Sequence, residues 1–138
     1  MLPVYAPTIR LFLHVLAATV WVGGQVALAG VIPVVRRFGG IETARTVARR
    51  FQLIAWPAFG LLVVTGIWNL SAVKIGDQSD AYLTTLFVKL LLVGLSGVGA
   101  LGHISFARRR PALGGMLAGL GLLAAIGATF IGVLLGTR

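Results

Sequence analysis

The chain has 138 residues, of which 58% are hydrophobic and 11% are charged, and its formal net charge is +9. Soluble proteins carry about a quarter charged residues, and a soluble chain of this length has too little interior to bury so much apolar surface. The composition therefore excludes a soluble globular domain and predicts an integral membrane protein. The absence of cysteine excludes disulfides, thiolate metal sites and iron–sulfur clusters.

Four apolar stretches follow one another along the chain, at about residues 9–35, 51–73, 82–106 and 111–135. Each is long enough to cross the hydrocarbon core as a helix, which takes about 20 residues. The first stretch is too long for a cleaved signal peptide and has no basic segment before it, so we interpret it as a retained helix. The sequence predicts an all-α protein, with a single transmembrane domain over 1–138 folded as a four-helix bundle.

The segments between the spans contain the residues that break helices. Gly39 and Gly40 predict a break after the first helix. The segment Ile41–Arg50 is rich in helix formers, so we expect it to extend the second helix beyond the membrane. The segment Lys74–Asp80 is an extended polar linker, and Pro111 is well placed to start the fourth helix.

Positive charge is concentrated in two of the three connections between the spans. The arginines there are Arg36, Arg37, Arg45, Arg49, Arg50, Arg108, Arg109 and Arg110. The positive-inside rule predicts that both connections are cytoplasmic and that both termini are outside, with Arg10, Lys74 and Arg138. We therefore expect a multi-pass protein of a bacterial-type inner membrane. The arginines are expected to contact anionic lipid headgroups, and nucleic-acid binding is not expected.

Glycine recurs at helical spacing in the last two spans. The fourth span carries Gly115-x-x-x-Gly119 and further small residues at Ala125, Ala128 and Gly132. The third span carries Gly94, Gly97, Gly99 and Gly102. Small residues let helices in lipid approach closely, so these positions predict tight helix packing. A second interpretation is that the gaps beside the glycines hold a flat cofactor or a partner helix.

The chain has three candidate ionisable residues within the hydrocarbon core, where charge is costly and usually functional: His14, Lys89 and His103. His14 shares one helix face with Trp21 and Gln25. Lys89 and His103 share a face of the third span. In the predicted topology His14 and Lys89 lie at matched depth near the outer surface, and His103 is about 21 Å deeper. The two histidines therefore cannot bind one metal ion.

Each of these residues also has a purely structural interpretation. His103 lies near the cytoplasmic end of its span and is interpreted as an interfacial histidine. Lys89 could extend to the outer headgroups, as lysines near helix ends do. His14 could be a hydrogen-bonded structural histidine.

The pattern of residues resembles the HemJ and CopD membrane families. The resemblance covers about residues 9–105, in the motifs His14-x6-Trp21-x-Gly23, Pro57-x7-Thr65-Gly66 and Lys89-Leu90. It implies that His14 binds heme and that Lys89 is a companion functional residue, as in HemJ-type protoporphyrinogen oxidases. CopD-type domains are associated with copper uptake and resistance. The candidate cofactor-binding residues are thus His14, Lys89, Trp21 and His103, with His14 as the metal ligand.

Three functions stay open from the sequence. The first is a heme b protein with a redox role, whose iron is bound by His14. The second is copper transport or resistance, for which the chain offers two widely separated histidines. The third is a homo-oligomer or a structural subunit of a larger membrane complex, for which the glycine-rich helices would serve. All three acidic residues lie in the predicted loops, so a self-contained hydrolase is not expected.

Overall fold

The computed structural model describes residues 4–137, and within that range the chain is helical without any strand. The elements are α1 (Ala6–Ser71), a short 3₁₀ helix (Ile75–Asp77), α2 (Asp80–Phe106) and α3 (Pro111–Gly136). Each of the three α-helices is long and apolar enough to cross a membrane. The predicted class, an all-α protein with transmembrane helices, is therefore confirmed. Arg138, one of the predicted outer charges, lies outside the described residues.

Helix α1 is divided into two arms at Gly40. This residue has φ 77° and ψ 173°, a backbone conformation that residues with a Cβ rarely adopt. The arms cover residues 6–39 and 41–71. The structure confirms the predicted break and also the helical extension over Ile41–Arg50, although only Gly40, and not Gly39, leaves the helical conformation.

The two arms of α1 fold back on each other as an antiparallel hairpin. Contacts pair the beginning of the first arm with the end of the second, and so on toward the turn. The pairs are Arg10 with Trp68, His14 with Thr65, Trp21 with Trp56, and Gly24 with Phe51. The first two predicted spans are therefore the two arms of one hairpin.

Helices α2 and α3 form a second hairpin with a very close backbone crossing. A Cβ on Gly99 would lie 2.7 Å from the Cα of Gly121 and 2.8 Å from the carbonyl oxygen of Leu117. Only glycine at position 99 allows this approach, because any larger residue would push the two backbones apart. Pro111 is the first residue of α3, as the sequence predicts.

The α2–α3 contact does not use the predicted Gly115-x-x-x-Gly119 motif. A Cβ on Gly115 or Gly119 would meet nothing within 4 Å, and both residues are exposed. The buried small residues of α3 lie on another face and include Gly121, Ala124 and Ala128. Tight packing through small residues is thus present: Gly99, Ala125 and Ala128 are predicted positions, whereas Gly121 and Ala124 are not.

The distribution of apolar side chains is that of a protein surrounded by lipid. The buried hydrophobic residues are mostly alanines, whereas large apolar side chains such as Phe12, Leu53, Phe87 and Phe130 are exposed. In water such a surface would be strongly unfavourable, but in lipid it costs nothing and the helices pack through small residues. The apolar helices are therefore compatible with contact with a lipid bilayer.

The chain divides into two compact units, one that ends at Val73 and one that begins at Lys74. The first contains the α1 hairpin, and the second contains the α2–α3 hairpin. The assembly of the four predicted spans into a single bundle and domain, and the location of both termini outside, stay predictions.

Candidate functional site

His14 lies in the α1 hairpin, where its ring contacts the second arm. Its Nδ1 atom is 2.9 Å from the hydroxyl oxygen of Thr65. The Thr65 hydroxyl is 2.6 Å from the carbonyl oxygen of Leu61 and 3.2 Å from that of Leu62. A hydroxyl has one proton, and carbonyl oxygens can only accept. Thr65 therefore donates to its own helix, and its oxygen accepts a hydrogen bond from His14 Nδ1–H.

This pattern assigns the tautomer of His14. Because Nδ1 carries the proton, Nε2 carries the lone pair of the neutral imidazole. Histidines that bind a metal usually donate their other ring N–H to an oxygen, which orients the ring. Thr65 supplies that oxygen and is almost completely buried, at 2% exposure. The bond is that of a hydrogen-bonded structural histidine and equally that of a histidine oriented for a metal, so both predicted roles of His14 stay predictions.

Gly66 leaves space beside the same ring. A Cβ at this position would lie 3.5 Å from His14 Cε1, which is ordinary van der Waals contact. An alanine would therefore fit at this position without displacing the imidazole. The pair Thr65-Gly66 thus provides a hydrogen-bond acceptor and a backbone without a side chain beside the ring in consecutive residues.

Trp21, the second candidate on this helix face, lies about two turns from His14 along the first arm. Its indole is buried at 3% exposure. The ring packs 5.5 Å from Trp56 in an edge-on arrangement and 4.5 Å from Phe59, measured between centroids. This aromatic cluster holds the two arms together. Gln25, further along the face, donates its side-chain amide to the Trp21 carbonyl oxygen at 3.1 Å.

Lys89, the candidate in the second hairpin, is half-buried on α2. Its ammonium nitrogen lies close to the backbone of Gly132, because a Cβ added to Gly132 would be 3.3 Å from this nitrogen. The side chain therefore packs along the α3 backbone at a position without a side chain. Two roles were predicted for Lys89, one in a cofactor site and one at the lipid headgroups. This contact tests neither of them.

His103 joins the two helices of the second hairpin near their connection. Its Nδ1 atom is 2.9 Å from the carbonyl oxygen of Gly114, in the first turn of α3. Because a carbonyl can only accept, Nδ1–H of His103 is the donor. The bond gives His103 a structural role that the sequence did not reveal. Its predicted part in cofactor binding stays a prediction.

Within residues 4–137, no group of three or more histidine, cysteine, aspartate or glutamate side chains is arranged to hold a metal ion. His14 and His103 lie in different hairpins. A groove of about 430 Å³ beside Gly99 is lined by leucine, valine, alanine and glycine alone. It offers no metal-ligating side chain to the flat cofactor that the glycine spacing suggested.

A second groove, of about 720 Å³, lies on the second arm of α1 and has two chemically different ends. Thr46, Arg49, Arg50 and Gln52 line its polar part. Leu53, Trp56 and Pro57 line its apolar part. The polar residues are those nearer the Gly40 turn. The lining of the groove therefore changes from charged to apolar with increasing distance from the turn.

Two residues of the α1 hairpin were missed as candidates by the sequence. Thr65 belongs to a motif of the family resemblance, yet nothing in the sequence reveals its bond to His14. Arg10 was counted only as a topology charge, although its guanidinium packs against Trp68. Two features of the sequence could have identified them. One is a hydroxyl in an otherwise apolar segment, and the other is an arginine four residues before a histidine in a predicted span.

Comparison with known proteins finds no matching family model, no matching curated protein and no matching solved structure. The resemblance to the HemJ and CopD families is therefore carried by the motifs in the sequence alone.

Proposed function

We propose that this chain is a small multi-pass protein of a bacterial-type inner membrane that binds heme b through His14 and has a redox role. The observation that carries the proposal is the hydrogen bond from His14 Nδ1–H to Thr65. It orients the ring and leaves the lone pair on Nε2, which is the arrangement of an axial histidine.

Heme suits the donor set better than a bare copper ion does. A porphyrin supplies four nitrogen ligands, so that one histidine completes a stable site. A copper ion needs several protein ligands close together. The described residues contain no such group, and both methionines are distant from His14 in sequence.

Three residues of the α1 hairpin would have separate roles in binding the heme. His14 would bind the iron, Thr65 would hold the imidazole in its orientation, and Gly66 would keep the ring edge clear. When bound, heme b would supply reversible one-electron chemistry, tuned by its axial ligand and its burial. The companion role of Lys89 and the cofactor contact of Trp21 belong to the proposal because of the family resemblance and the helix face that Trp21 shares with His14. For His103, the proposal keeps the interfacial, structural interpretation.

The arginine-lined groove supports the expected contact with anionic lipids. We propose that Arg49 and Arg50 bind a lipid phosphate, while Leu53 and Trp56 contact an acyl chain. Native mass spectrometry in mixed anionic and zwitterionic lipid should show fewer anionic lipids on the double variant Arg49→Gln, Arg50→Gln than on Arg108→Gln, Arg109→Gln. Equal retention by the two variants would contradict a specific site.

The heme proposal is tested by spectra of the oxidised and reduced full-length protein, produced with ample heme. We expect a heme b spectrum in the wild type and its loss in His14→Gly. Added imidazole should restore iron coordination in His14→Gly, because it can occupy the space of the missing ring. A histidine with only a structural role would not give this rescue.

Two results would overturn the assignment. One is wild-type protein without heme, and the other is folded His14→Gly protein with an unchanged heme spectrum. Stoichiometric copper lost on replacement of His14 would favour the copper function instead. A stable protein partner without either cofactor would favour the structural subunit.

A further inference from the structure

Arg10 lies one helical turn before His14, on the same face of the first arm of α1. Four residues separate the two, which is about 6 Å along the helix axis. The Arg10 guanidinium carbon is 5.9 Å from the centroid of the Trp68 ring. Since Trp68 follows Thr65 by three residues on the opposite arm, Arg10 and His14 are held by neighbouring turns of the same helix.

The guanidinium of Arg10 has a buried donor without an acceptor. Its Nε atom is buried and, among the described residues, has no hydrogen-bond partner. A buried N–H without an acceptor is costly, and native proteins contain few of them. Nε itself is covered by the protein, so an acceptor from outside the chain would bind the Nη atoms of the same guanidinium, which form no hydrogen bond within residues 4–137.

That acceptor is expected to be an anion. The first turn of α1 has no acidic residue. Glu42, the acidic residue of the α1 hairpin, forms its ion pair with Arg45 near the Gly40 turn. The hairpin thus offers Arg10 a stacking aromatic ring but no counter-charge. A planar guanidinium matches a carboxylate, to which it can donate two parallel hydrogen bonds.

We infer that Arg10 binds a propionate carboxylate of the porphyrin that His14 holds. The inference rests on the proposed function, and it names the part of the ligand that sets the porphyrin's orientation. Heme carries both its carboxylates on one edge, and Arg10 lies toward the end of α1 that the predicted topology puts at the outer surface. The propionate edge then faces the polar headgroups, and the apolar edge faces the interior of the bilayer.

The test compares two ligands that differ only at the carboxylates. Heme-free, full-length protein in detergent is titrated with hemin and with hemin dimethyl ester, in which both propionates are neutral. We expect the wild type to bind hemin about tenfold more tightly than the ester, the scale of one charge-assisted hydrogen bond. Arg10→Met should bind hemin as weakly as the ester, with its affinity for the ester unchanged. Arg36→Met, which removes an exposed arginine of the same arm, should keep the wild-type preference.

The outcomes separate this inference from the proposed function. Wild-type protein that binds hemin and the ester equally, with a spectrum that depends on His14, would overturn the role of Arg10 and leave the heme assignment intact. Wild-type protein that binds neither would overturn both. Arg10→Met protein that loses hemin and ester to the same extent would assign Arg10 to the fold and not to the carboxylate. Should Arg10→Met fail to fold, Arg10→Gln takes its place in both titrations, because a wild-type preference alone could also come from Lys89.

Discussion

The Nδ1 atom of His14 and the hydroxyl oxygen of Thr65 lie 2.9 Å apart, although 51 residues separate them in the chain. The bond closes the α1 hairpin and at the same time assigns the tautomer of the histidine. Thr65 can play both parts because its proton is used by the Leu61 carbonyl, which leaves its oxygen as an acceptor.

Replacing Thr65 by valine should weaken heme binding without unfolding the hairpin. Valine has nearly the same shape but no oxygen, so His14 Nδ1–H loses its acceptor and the ring loses its fixed orientation. Loss of such a partner typically costs about 10–100-fold in metal affinity, and we expect a fall of that size in hemin titrations. Thr19→Val is the matched control, because the Thr19 hydroxyl is exposed and bonds only to the Val15 carbonyl of its own helix. Unchanged affinity in Thr65→Val would contradict the role of this bond.

Replacing Lys89 by alanine should weaken heme retention more mildly than replacing His14. A charge partner orients a cofactor but does not hold its metal, so the heme content per protein should fall without disappearing. Lys74→Ala, which removes an exposed lysine, serves as the control. If Lys89→Ala retains all its heme with wild-type affinity, Lys89 is no part of the site and the headgroup interpretation is preferred.

Replacing Gly99 by alanine should destabilise the α2–α3 hairpin. The new methyl group would lie 2.7 Å from the Cα of Gly121, so the two backbones must separate. We expect a loss of about 1–3 kcal/mol in the free energy of unfolding, as for other overpacked sites. Unfolding in detergent would measure it. Gly94→Ala, on the same helix but with nothing within 4 Å, should be neutral or slightly stabilising. Equal stability of the two variants would contradict the close crossing.

Replacing His103 by glutamine should preserve both the fold and any bound cofactor. The glutamine amide can donate to the Gly114 carbonyl in place of the imidazole. His103→Ala, which has no donor, should lose about 0.5–1.5 kcal/mol of stability. Heme content and thermal unfolding of the two variants would be compared. Loss of heme from well-folded His103→Gln would make His103 a cofactor residue and refute its purely structural role.

A reporter that is active only outside the cytoplasm should be active when fused after Arg138. The positive-inside rule gives this result, because the arginine-rich connections are expected to stay in the cytoplasm. The complementary fusion, in the connection at Arg108–Arg110, should be active only as a cytoplasmic reporter. The reversed pattern would contradict the proposed orientation.

The sequence predicts well those features that depend on the backbone chemistry of one residue. Gly40 adopts a conformation that is strained for residues with a side chain. Pro111 starts a helix at a position where the backbone N–H has no partner in the helix, so its missing N–H costs no hydrogen bond. Both were therefore found from the sequence, as was the apolar length of the helices.

Features that depend on which helix face turns inward were less predictable. All faces of a membrane helix are apolar, so spacing pointed correctly to Gly99 on α2 but to Gly115 and Gly119 on α3, where the crossing in fact uses Gly121. Thr65 illustrates the same difficulty. Its hydroxyl could have bonded only to its own helix, and the partnership with His14 follows from how the two arms are aligned.

The turn at Gly40 is a single residue, so the connection between the two arms of the α1 hairpin cannot lengthen. Its first arm alone is about 50 Å long at 1.5 Å per residue, well beyond the roughly 30 Å of hydrocarbon in a bilayer. A flexible connection could absorb a change in bilayer thickness by stretching, whereas two helices joined at a single residue are expected to tilt together. The distance along the first arm between His14 and the arginines near the turn is therefore constant. In the predicted topology, membrane thickness would then determine how deeply the histidine is immersed.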